Sequence, residues 1–338
     1  MVNRIRVPLA MLTALIAVLM LGVVPSAAQT PASNAAPKAP AKAAWTPPRT
    51  PEGKPDFQGN WNFATVTPFE RPAELAGKAT LTDAEAAAFE KETLERNDAD
   101  RRDRPKEADV ALAYNQFWYD RGTKVLGTRQ TSLVVDPADG RIPALTRDAQ
   151  ARAGARADQR QQHPADGPED RSLGERCLLF GAGPPMAPGP YNNNVQFVET
   201  RDYVVVMNEM IHDARVIPLN GSPHLPPTVR HWQGDSRGRW EGDTLVVDTT
   251  NFTGKTAFRG SSEKLHLVER FTLVSADTLL YEFTVDDPAS FAKPWTVSLP
   301  LSKTDDAIYE YACHEGNYGM KGMLAGARNK EKAAPGAR

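Results

Sequence analysis

The feature that most constrains the fold is a succession of short alternating segments between Asn194 and His314. Val195–Thr200, Tyr203–Leu219, Thr228–Gln233, Thr244–Thr250, Leu265–Val274, Thr278–Val285, Thr296–Leu301 and Ile308–His314 each read as strands, rich in β-branched and aromatic residues at period two. Asn220-Gly221, Gly242-Asp243 and Ala276-Asp277 punctuate them as turns. An earlier strand, Thr131–Val135, runs into the turn Asp136-Pro137-Ala138-Asp139-Gly140. Helix signals nearly vanish after residue 165, and no strand–helix alternation supports a parallel sheet. The expected fold is therefore mainly β, an antiparallel barrel or sandwich. Two peripheral helices are expected. Thr82 and Glu85 form a capping box that opens one helix running to about Asn97, and Thr146 caps a polar surface helix through Gln159.

The amino terminus reads as an export signal. Arg4 and Arg6 precede an apolar run from Val7 to Val24, and Ser26 and Ala28 set a small-residue cleavage site after Ala28. Removing residues 1–28 takes away two arginines and no acids, so the formal charge goes from −2 to −4. That balance excludes an electrostatic footprint for nucleic acid. Residues 29–55, rich in Pro, Ala and Lys, read as a disordered tether, 56–324 as one mainly-β domain and 325–338 as a loose tail. The expected location is periplasmic or secreted, with no membrane span after processing. In such an oxidising compartment the two cysteines, Cys177 and Cys313, are expected to pair. Neither has a Cys-x-x-Cys partner, which argues against thiol redox chemistry and a structural zinc site.

Gly59-Asn60-Trp61, following Asp56-Phe57, resembles the Gly-x-Trp of the first strand of lipocalin-type (calycin) barrels. The resemblance implies a glycine that permits a tight start to the strand and a Trp that closes the barrel floor. Longer phrases include Phe117-Trp118-Tyr119-Asp120-Arg121-Gly122, Pro188-Gly189-Pro190-Tyr191-Asn192-Asn193-Asn194, Met210-Ile211-His212-Asp213-Ala214-Arg215 and Tyr311-Ala312-Cys313-His314-Glu315-Gly316-Asn317-Tyr318. Together these are similar to a group of exported proteins common in soil and aquatic bacteria, over most of the chain from about Pro55. The resemblance carries over no catalytic residue.

Short catalytic motifs fail on context. Gly234-Asp235-Ser236-Arg237-Gly238 matches a nucleophile elbow, but hairpin sequence follows it where a helix is required. Ser261-Ser262-Glu263-Lys264 precedes a strand instead of opening a helix. Gly181-Ala182-Gly183 lacks a third glycine and runs into prolines, so no dinucleotide loop is supported.

Polar residues embedded in strands carry more information. At period two, Asn208, Met210 and His212 share one face while Glu209, Ile211, Asp213 and Arg215 share the other. His266 and Arg270 share a face with Val268, and His314 and Glu315 close the last segment. Histidine beside a carboxylate suits proton transfer near neutral pH, so the candidate catalytic set is His212, Asp213, His266, His314 and Glu315. Arg121, Arg215 and Arg270 suit an anionic or hydroxylated substrate, Tyr191 and Trp232 suit stacking on a ring, and Asn194 suits hydrogen bonding to hydroxyls.

The expected activity is that of an exported lyase or hydrolase acting on a small polar plant-derived molecule, such as a glycoside or a lignin-type aromatic ether. It requires no cofactor. Two alternatives use the same chain. A non-catalytic lipocalin-like binder would have a pocket lined by Leu, Val and Phe. A metalloenzyme would use the three histidines and a carboxylate, although no His-x-His spacing is present. The acid–base reading requires His212, His266 and His314 to converge on one cavity.

Overall fold

The computed structural model describes residues 45–103, 115–181, 183–256 and 258–333. The expected export signal, its expected cleavage site and most of the expected tether lie outside the described residues, as does the end of the expected tail.

The alternation after residue 194 builds one antiparallel sheet. Its strands are β1 (Gly59–Asn62), β2 (Val134–Asp136), β3 (Asn194–Glu199), β4 (Tyr203–Asn208), β5 (Ala214–Pro218), β6 (Asp235–Glu241), β7 (Thr244–Thr250), β8 (His266–Ser275), β9 (Thr278–Asp286) and β10 (Trp295–Thr304). The order is β5-β4-β3-β1-β10-β9-β8-β7-β6, with β2 pairing the start of β10. Every ladder is antiparallel, and none joins β5 to β6. The sheet is thus not closed into a barrel, and a sandwich-like arrangement fits it.

Period two decides which side chains fill the interior. Leu267, Phe271 and Leu273 of β8, Leu279, Tyr281, Phe283 and Val285 of β9, and Trp295, Val297, Leu299 and Leu301 of β10 are buried, while their neighbours face outward. Burying each such side chain contributes about 1.5–3 kcal/mol. On the outer face, threonines pair across strands, Thr244 with Thr272 at 2.8 Å and Thr284 with Thr296 at 2.9 Å. Contacts across the interior show that the sheet folds over on itself. Phe197 of β3 meets Phe271 of β8 edge-on at 5.3 Å, although those strands are not neighbours in the sheet. Trp61 is fully buried, and its indole N–H donates to the Phe57 carbonyl at 2.8 Å. Gly59 opens β1 at φ +108°, a conformation side-chain-bearing residues rarely adopt.

Among the described residues three α-helices flank the sheet, one more than expected. α1 (Asp83–Asn97) begins with the Thr82–Glu85 capping box, and α2 (Arg147–Gln162) with Thr146 accepting from the Ala149 N–H. α3 (Tyr318–Ala333) occupies sequence read as loose from Ala325 onward. Arg328 anchors it by donating to the carbonyls of Ala165 and Asp166. None of the described helices is long and apolar enough to cross a membrane.

Four segments differ from expectation. Tyr203–Leu219 is not one strand, because the chain turns back on itself between Asn208 and Ala214. Thr228–Gln233 forms a turn with a single bridge from His231 to Phe252. Ile308–His314 runs as irregular chain beside the disulfide instead of pairing with the sheet. The end of the expected tether is packed, since Arg49 bridges to Pro55 and forms an ion pair with Asp243 at 2.6 Å.

Candidate functional site

The turn between β4 and β5 positions the first side chains of the site. Ile211 and His212 adopt φ of +63° and +49°. A β-branched residue there is a true backbone outlier, and such strain is found where surrounding structure enforces it. Here the enforcement is visible. Glu209 is buried and accepts from the Asn194 amide at 3.0 Å. Met210 and Ile211 are buried beneath Tyr191, Tyr311 and Cys313. The His212 ring lies with Nδ1 2.7 Å from the Tyr311 carbonyl, so Nδ1 carries the proton.

Beyond this turn, Asp213 and Arg215 enter a cleft of about 600 Å³. Its other walls carry His231 and Trp232 from the β5–β6 connection, Asp235 and Arg237 from β6, and Cys177 and His314. The expected disulfide is present, joining Cys177 to Cys313 with their Cα atoms 5.7 Å apart. It holds His314 at the cleft, where Nε2 donates to the Cys177 carbonyl at 2.9 Å. That bond leaves Nδ1 as the basic nitrogen of a neutral ring. The side chains of His231 and Asp213 have no partner among the described residues.

Arg215 is buried and held by both oxygens of Glu269, at 2.5 and 3.1 Å. Burial opposes its charge, and the Glu269 carboxylate more than offsets that, raising its pKa. Tyr281 donates to Glu269 at 2.8 Å, and burial pushes its hydroxyl pKa well up. Asp235 has its pKa lowered. Burial works against ionisation, but the Leu225 N–H, His224 and Arg237 together outweigh it.

Asp235 also starts a chain of charged contacts across the outer face of the sheet. His224 Nδ1 lies 3.0 Å from Asp235, and its Nε2 lies 2.9 Å from Asp248. The other Asp248 oxygen lies 2.9 Å from His266 Nε2. The hydrogen bond that His266 donates to Asp248 raises the His266 pKa, and His266 in turn lowers that of Asp248.

Of the expected site residues, the cleft gathers Asp213, Arg215, Trp232 and His314. The three histidines do not converge. His212 faces Tyr311, and His266 and Arg270 lie on the outer face of β8, where Arg270 pairs with Glu241 at 3.0 Å. The physical reason is the pleat. Buried Leu267, Glu269 and Phe271 take the inner positions of β8 and leave 266 and 270 outside. Glu315 is exposed. Asn194 is buried between Asn62 and Glu209 and is structural. Arg121 stacks over Tyr119 at 3.8 Å and lines a separate cavity, and Tyr191 lies near the disulfide.

Sequence reasoning missed Asp235, Arg237, His224 and Glu199. For His224 the available signal was a lone histidine between Pro223 and Pro226, followed by aspartates at 235 and 248 on the outer face of paired strands. Glu199 lines a separate cavity of about 370 Å³ with Lys54, Arg201 and Trp240. Burial, with Asp56 and Glu52 nearby, raises its pKa to about 7 despite a hydrogen bond from the Phe57 N–H.

Among the described residues, no three or more His, Cys, Asp or Glu side chains are grouped to hold a metal ion. Comparison with protein-family models, with curated proteins and with solved structures finds no match.

Proposed function

We propose that the Arg215 cleft is the active site of an exported acid–base enzyme, a lyase or hydrolase, acting on a small polar molecule that carries a ring and an anionic or hydroxyl group. One observation carries the reading. The imidazole of His231 and the carboxylate of Asp213, neither with a partner among the described residues, belong to residues that line the same cleft as Trp232. His231 and His314 are suited to moving protons at the reacting centre. Arg237 orients the polar group, and Trp232 covers the ring. Export is supported by the apolar amino-terminal run and by the disulfide. A lipocalin-like binder is less well supported, because aromatic side chains fill the interior where its apolar pocket would lie.

The test is turnover by the purified chain, lacking residues 1–28, on a panel of glycosides and aromatic ethers. His231→Gln and His314→Gln are expected to lower kcat by about 10²–10⁴-fold with the fold intact. Turnover unchanged in both variants, or absent from the whole panel, overturns the reading.

A further inference from the structure

The Arg215 cleft is not isolated. Cys177 lines both that cleft and a second cavity of about 560 Å³, which Cys313 also lines. Tyr191 and Tyr311 line this second cavity and also a third, of about 240 Å³, which Trp118 and Asn192 complete. Each cavity shares a lining residue with the next, so the three stand side by side as a row of subsites, here termed the trough.

The far end is aromatic and pre-organised. The Tyr191 and Tyr311 rings lie 6.4 Å apart at an interplanar angle of 25°. Trp118 is 62 % exposed, an apolar face left in water beside them. The strained turn at Ile211 supports this end from below, and His212 fixes the Tyr311 backbone. A platform held this way loses little entropy on binding.

Polar groups with no partner among the described residues stand beside the rings. They are the Asn192 amide, on a residue at φ +54°, and the Glu310 carboxylate. An aromatic face next to an amide and a carboxylate matches a pyranose. The weakly positive C–H groups of the sugar lie on the electron-rich ring face, while its hydroxyls bond to the polar neighbours. A purely aryl ligand stacks equally well, but it strips water from Asn192 and Glu310 without replacing the lost hydrogen bonds.

We propose that the trough takes a linear oligosaccharide, with Trp118, Tyr191 and Tyr311 as its sugar-stacking platform and the Arg215 cleft holding the reacting end. The assignment rests on the reading of that cleft as the reactive site.

The experiment is calorimetric titration of the mature chain with β-1,4-linked gluco-, xylo- and manno-oligosaccharides, from disaccharide to hexasaccharide. For one series, affinity should rise about tenfold or more with length. Trp118→Ala should remove that rise, with the greater loss for the longer ligands. Asn192→Gly, which keeps the positive φ, should weaken the longer ligands alone. Absence of any length dependence, or an equal loss for all lengths in Trp118→Ala, overturns the proposal. So does a phenolic aryl-ether dimer that binds as tightly with the same dependence on Trp118. Length-dependent binding without turnover supports the trough and counts against the catalytic reading. Turnover that needs His231 but is indifferent to Trp118 and to ligand length overturns the trough and leaves the catalytic reading standing.

Discussion

The Arg215 guanidinium on β5 grips both oxygens of the Glu269 carboxylate on β8 across the interior, with both side chains buried. Tyr281 adds a third contact to the same carboxylate and accepts from the Met186 N–H at 3.1 Å. Removing one member of a buried pair leaves its partner charged and unsolvated. Glu269→Ala should therefore destabilise the fold by about 3–5 kcal/mol. Tyr281→Phe should cost about 1–2 kcal/mol, because it deletes one hydrogen bond and leaves the Met186 N–H without its acceptor. Urea denaturation of the three proteins checks both values.

Glu199 makes stability depend on pH in the direction opposite to most carboxylates. Its pKa is raised in the fold to about 7, so between the ordinary carboxyl value and about pH 7 the folded state binds more protons than the unfolded chain. Stability from this group should fall as pH rises through that window. Glu199→Gln should remove the slope and stabilise the protein above about pH 8. The gain should be about 1 kcal/mol once solvent screening of a partly exposed group is allowed for. Melting temperatures measured from about pH 5 to about pH 9 decide it.

The contact between Asp248 and His266 has the usual signs. The raised His266 pKa means its contribution is fully present below the unfolded histidine value and is lost as pH rises through the folded one. The lowered Asp248 pKa means its contribution is present above the unfolded carboxyl value and is lost as pH falls through the folded one. Asp248→Asn should thus lower the melting temperature more at about pH 5.5 than at about pH 9. An equal loss at both values contradicts the ion pair.

The disulfide closes a long loop, since Cys177 and Cys313 are 136 positions apart. In the chain-entropy model such a link is worth about 5 kcal/mol before native-state strain is subtracted. The double substitution Cys177→Ser, Cys313→Ser should lower stability by about 3–5 kcal/mol. It should also loosen His314, because the carbonyl that fixes its ring belongs to Cys177. Denaturation reports the first effect, and NMR relaxation of the His314 ring the second.

Much of the fold was readable because the instructions are local. β8, β9 and most of β10 alternate, and the caps at Thr82 and Thr146 stand a fixed distance from their acceptors and donors. The turn at Ile211 and His212 was hidden for the opposite reason. It carries none of the glycine, proline or asparagine that usually marks a reversal, and its unfavourable torsions are offset by burying Met210 and Ile211 beneath two tyrosines distant in sequence. α3 was obscure because Gly319, Gly322 and Gly326 lower its helix propensity and none of its residues is buried. The residue types of the site were visible, but their grouping was not. His314 reaches the cleft through the disulfide, and His224 reaches its carboxylates through a proline-bounded loop, neither of which follows a strand's period.

The missing ladder between β5 and β6 has a wider meaning for this architecture. Every other neighbouring pair in the meander spends its main-chain donors and acceptors on each other. At this seam the two edges part, and Asp213 to Val216 on one side and Asp235 to Arg237 on the other become the banks of the cleft. A hydrogen-bonded rung there would have closed the cylinder and sealed the space a guest molecule needs. The protein keeps one joint unglued, and the proposed substrate site lies where the final rung would have been.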